Sequence, residues 1–149
     1  MRCLNWAFAL SLVAALAATS ALADERGTPE QAKVLLEKAA VHFKDVGVDK
    51  AIADFNDPKG GYQDRDLFIF VYAPDGTALL GRDQSKAKDV DGKEYGKAII
   101  AAANAGGGWT DYRMTNPVTK KVEAKKTYSM KVGDHVLGAG AYSPAASDK

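Results

Sequence analysis

Ala32, Leu35, Leu36, Ala39, Phe43 and Val46 recur at spacings of three and four residues, which draws one apolar stripe along a helix. Thr28-Pro29-Glu30-Gln31 supplies its start: a threonine cap, a proline at the first helical position and a glutamine placed to complete a capping box. Gly47 fits the residue just past its end. A second short helix, capped by Asp49, turns Ala51, Ile52 and Phe55 inward, and residues 56–61 are a loop by composition. Leu67 to Ala73 is short, β-branched and aromatic, and reads as a strand. It does not alternate apolar with polar, so both of its faces are expected to be covered. Pro74-Asp75-Gly76-Thr77 is a turn into a second strand, Ala78 to Gly81.

Asp83 to Asp91 is a polar loop, and Glu94 to Ala105 a helix with Tyr95, Ala98, Ile99, Ala102 and Ala103 on one side. Gly106-Gly107-Gly108 stops it. Three strands follow, Trp109 to Thr115, Val122 to Val132 and His135 to Tyr142, before a frayed tail from Ser143 to Lys149. Two groups of strands flanking one helix predict a five-stranded antiparallel sheet. The long N-terminal helix is expected to pack on one face of it and the short helices on the other, a PAS-like α+β fold.

Composition changes this picture at the N-terminus. Arg2, an uncharged run from Trp6 to Ala18 and Ala21-Leu22-Ala23 before Asp24-Glu25-Arg26 have the pattern of a secretory signal peptide. Residues 1–23 are therefore expected to be removed, leaving 24–149 as one domain. Cys3 leaves with them, so no disulfide, cysteine cluster or catalytic cysteine is available to the rest. Lys plus Arg is 20 and Asp plus Glu is 19, and losing Arg2 makes the balance 19 to 19. A nucleic-acid partner, which calls for a basic excess, is not expected. An exported chain without cysteine points to a bacterial periplasm.

Charge is nevertheless unevenly distributed. From Arg113 to Lys131 there are six basic residues and one acid, Glu123, whereas Asp45 to Glu94 carries eleven acids against seven bases. Lys120, Lys121 and Lys131 read as turn and edge lysines that deter sheet-to-sheet pairing. Arg113 and Lys125 are candidates to hold a carboxylate, the first through paired hydrogen bonds and the second as a point charge. Tyr72, Trp109, Tyr112, Tyr128 and Tyr142 fall on predicted strands and offer apolar walls with a hydrogen-bonding tip; plain core packing is the alternative for each. Asp89-Val90-Asp91-Gly92 lacks the further oxygen ligands of a calcium loop and reads as a turn and helix cap. The three glycines lack the lysine and hydroxyl of a phosphate loop, and there is no G-x-S-x-G. No cofactor, metal or catalytic group is expected.

One family resemblance rests on an ordered set of features. These are Phe68-Ile69-Phe70-Val71-Tyr72 with Asp75-Gly76, Asp89-Val90-Asp91-Gly92-Lys93, and Gly106-Gly107-Gly108-Trp109 with Asp111-Tyr112. They continue with Asn116-Pro117 leading to Lys125 and Tyr128, and end at Gly138-Ala139-Gly140-Ala141-Tyr142. Over about Thr28 to Tyr142 the chain resembles a single Cache domain, the extracytoplasmic PAS-like sensor module of bacterial chemoreceptors and kinases. The resemblance implies a pocket between the distal sheet and its capping helix and loop, where relatives bind small ligands, often carboxylates. The spacing of Lys125 and Tyr128 resembles the family's pocket lysine and tyrosine. No second apolar span and no kinase, methyl-accepting or cyclase segment is seen, so signalling is expected to need a separate membrane receptor or sensor-kinase partner. The expected function is a periplasmic module binding a small organic anion such as a carboxylate. The alternatives are a protein-interaction module with a vestigial pocket, dimerising through the N-terminal helix, and a small enzyme. The expected ligand-binding residues are Tyr72, Trp109, Tyr112, Arg113, Lys125, Tyr128 and Tyr142.

Overall fold

The computed structural model describes residues 26–82 and 87–143; the predicted leader, part of the polar loop and the tail beyond Ser143 lie outside them. Helix α1, Pro29–Val46, begins as its sequence requires. The Thr28 hydroxyl accepts from the Gln31 backbone N–H at 3.2 Å, and the Gln31 side chain accepts from the Thr28 N–H at 3.0 Å. Gly47 closes α1 and opens α2, Val48–Asn56, at φ 83°, a conformation suited to glycine. Asp49 thus lies in the first turn of α2, not at its cap.

Strand β1, Gln63–Asp64, pairs antiparallel with β2, Leu67–Tyr72. The far end of β2 pairs with β3, Ala78–Leu80, through a turn in which Asp75 Oδ1 accepts from the Thr77 N–H at 2.9 Å. Helix α3, Tyr95–Asn104, leads into β4, Gly108–Thr115, then β5, Val122–Val132, and β6, His135–Ser143. The sheet order is β1-β2-β6-β5-β4, with β3 also on β2, and every pairing is antiparallel. It has six strands, one more than expected. The extra strand is β1, whose two polar residues carry no apolar alternation to announce it.

The last strand pairs with β2, and this places the most apolar segment beside the middle of the sheet. Leu67, Ile69 and Val71 point to one core with Ala32, Leu36, Ala39 and Phe43 of α1 and with Leu137, Ala139 and Ala141 of β6. Phe70 and Tyr72 point the other way, to Tyr95, Ile99 and Ala103 of α3. Cover on both sides explains why β2 shows no alternation. The two short helices are divided between the faces. Ala51 and Phe55 of α2 join the α1 core, so α3 is the helix on the other side. Two glycines of β6 face α3 and leave room for large neighbours. A Cβ on Gly138 would lie 2.1 Å from the Phe70 ring, and one on Gly140 would lie 2.2 Å from Thr127 Oγ1 and 2.9 Å from Lys125 Cε.

Candidate functional site

Strand alternation decides which side chains meet. On β5, Lys125, Thr127 and Ser129 oppose Tyr142, Gly140 and Gly138 of β6 and Tyr112, Thr110 and Gly108 of β4. All of these positions share the α3 face. Ser129 Oγ donates to the Ile99 carbonyl at 2.9 Å and ties α3 to the sheet. Tyr95, at the start of α3, stacks on Tyr112 with ring centroids 4.4 Å apart, and Tyr112 shares a 2.9 Å hydrogen bond with Thr127. These contacts fix one wall of a polar, aromatic enclosure.

Lys125 lies inside it, only 3% exposed. Its ammonium sits 4.5 Å from the ring centroids of both Phe68 and Tyr142 and donates to Tyr142 Oη at 3.3 Å. Among the described residues no carboxylate lies at ion-pair distance from it. Loss of water favours its neutral form and pushes its pKa down to about 7, against the opposing charge of Asp66 and with the aid of Arg82. Burial likewise pushes the Tyr142 phenol up to about 12, and the Tyr112 phenol up as well. The rings contribute a partial negative face toward the cation, which compensates for only part of its lost hydration.

The seven sequence candidates divide between the faces. Tyr112, Lys125 and Tyr142 form one rung, since Lys125 pairs with Tyr112 on one side and Tyr142 on the other. Tyr72 shares their face and is fully buried, but it pairs with Val136, six residues along β6 from Tyr142, or about 20 Å at the strand rise. It packs with Phe70 and belongs to the apolar floor under α3. Trp109, Arg113 and Tyr128 occupy the opposite face. Tyr128 packs edge-on to Trp109 at 5.0 Å beneath Lys33 of α1. Arg113 is exposed and pairs with Asp91 at 3.2 Å. The three-residue spacing from Lys125 to Tyr128 sends the two side chains to opposite faces of a strand, whose period is two. The glycine run brings backbone close to Tyr128: a Cβ on Gly107 would lie 3.0 Å from its hydroxyl.

Phe68, whose ring faces the Lys125 ammonium, Thr127 and Tyr95, which contact Tyr112, and Asp66 and Arg82, whose charges act on Lys125, were not named as site residues by the sequence reading. Phe68 stood in an apolar run and Thr127 in a polar strand; alternation from Lys125 would have found Thr127. Asp66 is 2% exposed, and its Oδ1 accepts from the Gly27 N–H at 2.7 Å. Asp89 acts as a turn residue, with Oδ1 accepting from the Asp91 and Lys93 N–H groups. Among the described residues no cluster is suited to hold a metal ion. Glu123 takes a bidentate contact from Arg26 at 2.5 and 2.7 Å, with Asn116 and Thr119 also donating to it, and its pKa falls to about 2.

The architecture is similar to that of chemotaxis sensor domains. A methyl-accepting chemotaxis protein from Vibrio parahaemolyticus RIMD 2210633 superposes with a TM-score of 0.63 at 21% identity, covering 76% of this chain and 86% of that one. A Cache chemosensory domain, whose structure is titled as the basis of carboxylic acid recognition, gives 0.57 at 17% identity, covering 76% and 91%. A periplasmic sensor domain of a chemotaxis protein gives 0.50 at 19% identity, covering 86% and 99%. At these identities the likeness shows the fold alone. None of the curated proteins compared matches the chain. The fold is therefore of the PAS-like α+β type that those sensor domains share. A family model for Single Cache domain 2 matches residues 64–146, more than half of the chain, and the chain belongs to that family, whose members are extracytoplasmic sensor domains. Among the described residues no helix is long and apolar enough to cross a membrane.

Proposed function

We propose that this Cache domain is a periplasmic module that binds a small carboxylate, with Lys125 as the charge that holds it, and that it works with a membrane receptor or sensor kinase. One observation carries the reading: a lysine removed from water has the rings of Phe68 and Tyr142 around it, the latter's hydroxyl accepting from it, but among the described residues no carboxylate at ion-pair distance. A buried charge without a partner is costly, and an incoming anion supplies the missing one. Tyr142, Tyr112, Phe68 and Thr127 form the walls. The carboxylic acid recognition named for one structural neighbour agrees in ligand class. Trp109, Arg113 and Tyr128 have no part in this site. Export with cleavage after Ala23 belongs to the same proposal, and an intact mass from the native host starting at Asp24 checks it.

The test is a thermal-shift panel of small carboxylates, amino acids and amines on the purified protein. A ligand at 100 times its Kd stabilises by about 2.7 kcal/mol. Carboxylates are expected to raise Tm and amines to leave it unchanged; amines alone raising it would reverse the reading. A second reading, contact with a partner through α1, is favoured by Val34 and Val41, which are 64% and 61% exposed two turns apart. Sedimentation at rising concentration would reveal self-association through this face, and its loss in Val34→Glu would locate it.

A further inference from the structure

The tip of the β4–β5 hairpin is held stiff from within. Glu123 is 2% exposed and accepts from Arg26 at 2.5 and 2.7 Å and from Asn116 and Thr119 at 2.8 Å each. Asn116 also closes the turn. Its N–H donates to the Lys121 carbonyl at 2.8 Å, its carbonyl accepts from the Lys120 N–H at 2.9 Å, and its Oδ1 accepts from the Val118 N–H at 2.8 Å. On the outside, Pro117, Val118, Lys120, Lys121 and Val122 are exposed, the valines by 49% and 36%. No acidic residue falls from Met114 to Val122. Among the described residues no carboxylate lies at ion-pair distance from Lys120 or Lys121. Guarding a sheet edge does not account for these two lysines, since β5 is paired on both sides, with β4 as far as Thr115–Val122 and with β6. Lys120 also sits at φ 60°, a conformation that glycine or asparagine takes at lower cost. A lysine kept there against that cost points to a role for its charge.

We propose that this hairpin tip docks on an anionic phospholipid surface, with Val118 and Val122 entering the headgroup boundary and Lys120 and Lys121 reaching the lipid phosphates. The inference is independent of the carboxylate site. Lysine stems lie along apolar surface while their ammonium groups stay in the charged layer, and valines beside them add apolar area to bury. A bilayer surface asks for positive charge and apolar area without a matched shape, and the exposed side of this turn offers those two properties together. The one acid at its base, Glu123, is buried and matched by Arg26, so it does not offset the two lysines. Two lysines and two valines give weak, reversible attachment, which sets the lipid concentration of the test in the millimolar range.

Co-sedimentation of the purified protein with two kinds of vesicle at low salt tests the assignment, one of phosphatidylcholine alone and one of phosphatidylcholine mixed with phosphatidylglycerol. Binding is expected on the mixed vesicles, about tenfold weaker or more on phosphatidylcholine alone, and falling as added salt screens the charges. Each lysine beside an anionic surface is worth about fivefold in binding. Lys120→Gly and Lys121→Gln should therefore each weaken it by about that factor, and Val118→Ser by about threefold. Lys120→Gly should do so with an undiminished urea midpoint, because glycine suits φ 60°. Equal binding to the two kinds of vesicle overturns the inference. Binding unchanged in both lysine variants also overturns it, and assigns the membrane contact to another part of the chain. Release by inorganic phosphate at matched ionic strength overturns it in favour of a soluble anion. No binding to the mixed vesicles at millimolar lipid overturns it as well, and leaves the tip to an acidic protein surface.

Discussion

Lys125 carries a conflict between stability and binding. Its ordinary pKa of 10.5 falls to about 7 because burial strips water from the ammonium. The unfolded chain therefore holds this proton to higher pH than the folded one, and stability rises with pH between those values. The penalty is fully present below about pH 7, shrinks as pH rises from there toward 10.5, and is gone above. Lys125→Met keeps a long apolar stem and removes the charge. In the absence of ligand it is expected to raise the urea midpoint near neutral pH, with the gain fading as pH rises toward the ordinary lysine range. A midpoint that falls at neutral pH would mean that the ammonium stabilises the empty fold through its rings and phenol. The same residue shows what the sequence concealed. Lys125 stands in a basic stretch with Lys120, Lys121, Lys126 and Lys131, and only the strand's face separates the buried one from the rest.

Elements announced themselves unequally. The capping box and apolar stripe of α1, the doubly apolar β2 and the turn glycines were legible because each is a local signal. Strand β1 was not, since it exists through pairing with β2 and not through its own two polar residues. Neither was the position of α2, whose Ala51 and Phe55 fit any apolar surface until the chain chooses α1's side. Of the seven candidates, Tyr112, Lys125 and Tyr142 share one rung while Trp109, Arg113 and Tyr128 lie on the opposite face, a division that follows from the strand period of two counted outward from Lys125 but not from residue type. The alternating glycines of β6 are the clearest link between element and site. Gly140→Ala puts a methyl into Thr127 and the Lys125 stem. It is expected to destabilise by about 1–3 kcal/mol, the usual cost of overpacking, and to weaken carboxylate binding in parallel. Urea melts and calorimetry on the one variant read both; full affinity at reduced stability would separate Gly140 from the site.

At the scale of the molecule, the segment leading into α1 is clamped to the far hairpin. Arg26 and Glu123 are 97 residues apart in sequence, and their bidentate contact is joined by Asn116 and Thr119. Gly27 on Asp66 and the Arg65 guanidinium on the Arg26 carbonyl at 2.6 Å extend the clamp to the β1–β2 turn. Hydrogen bonding from Arg26 first, then from Asn116 and Thr119, holds the Glu123 pKa near 2 against an ordinary 4.5. Its contribution is fully present above pH 4.5 and is lost as pH falls toward 2. Glu123→Gln is therefore expected to be less stable than wild type at neutral pH by about 1.5 kcal/mol or more, the value of a charge-assisted hydrogen bond. The gap should close on acidification. A constant gap would assign the loss to shape and not to charge.

The central claim is that an anion meets the Lys125 ammonium inside the sheet–helix enclosure, and proton linkage tests it most directly. Lys125 with a pKa of about 7 is largely neutral in the empty site at mildly alkaline pH, while an anion beside it favours the charged form. Binding must then take up a proton. Titration of the purified protein with a carboxylate that binds, from pH ~6 to ~9, should give a flat Kd below pH ~7 and a weakening of up to about tenfold per unit above it. At alkaline pH the heat should vary with the ionisation enthalpy of the buffer, and Lys125→Met should abolish both the binding and the linkage. A Kd that stays flat over the whole range, with no proton uptake and no loss in Lys125→Met, would contradict the account.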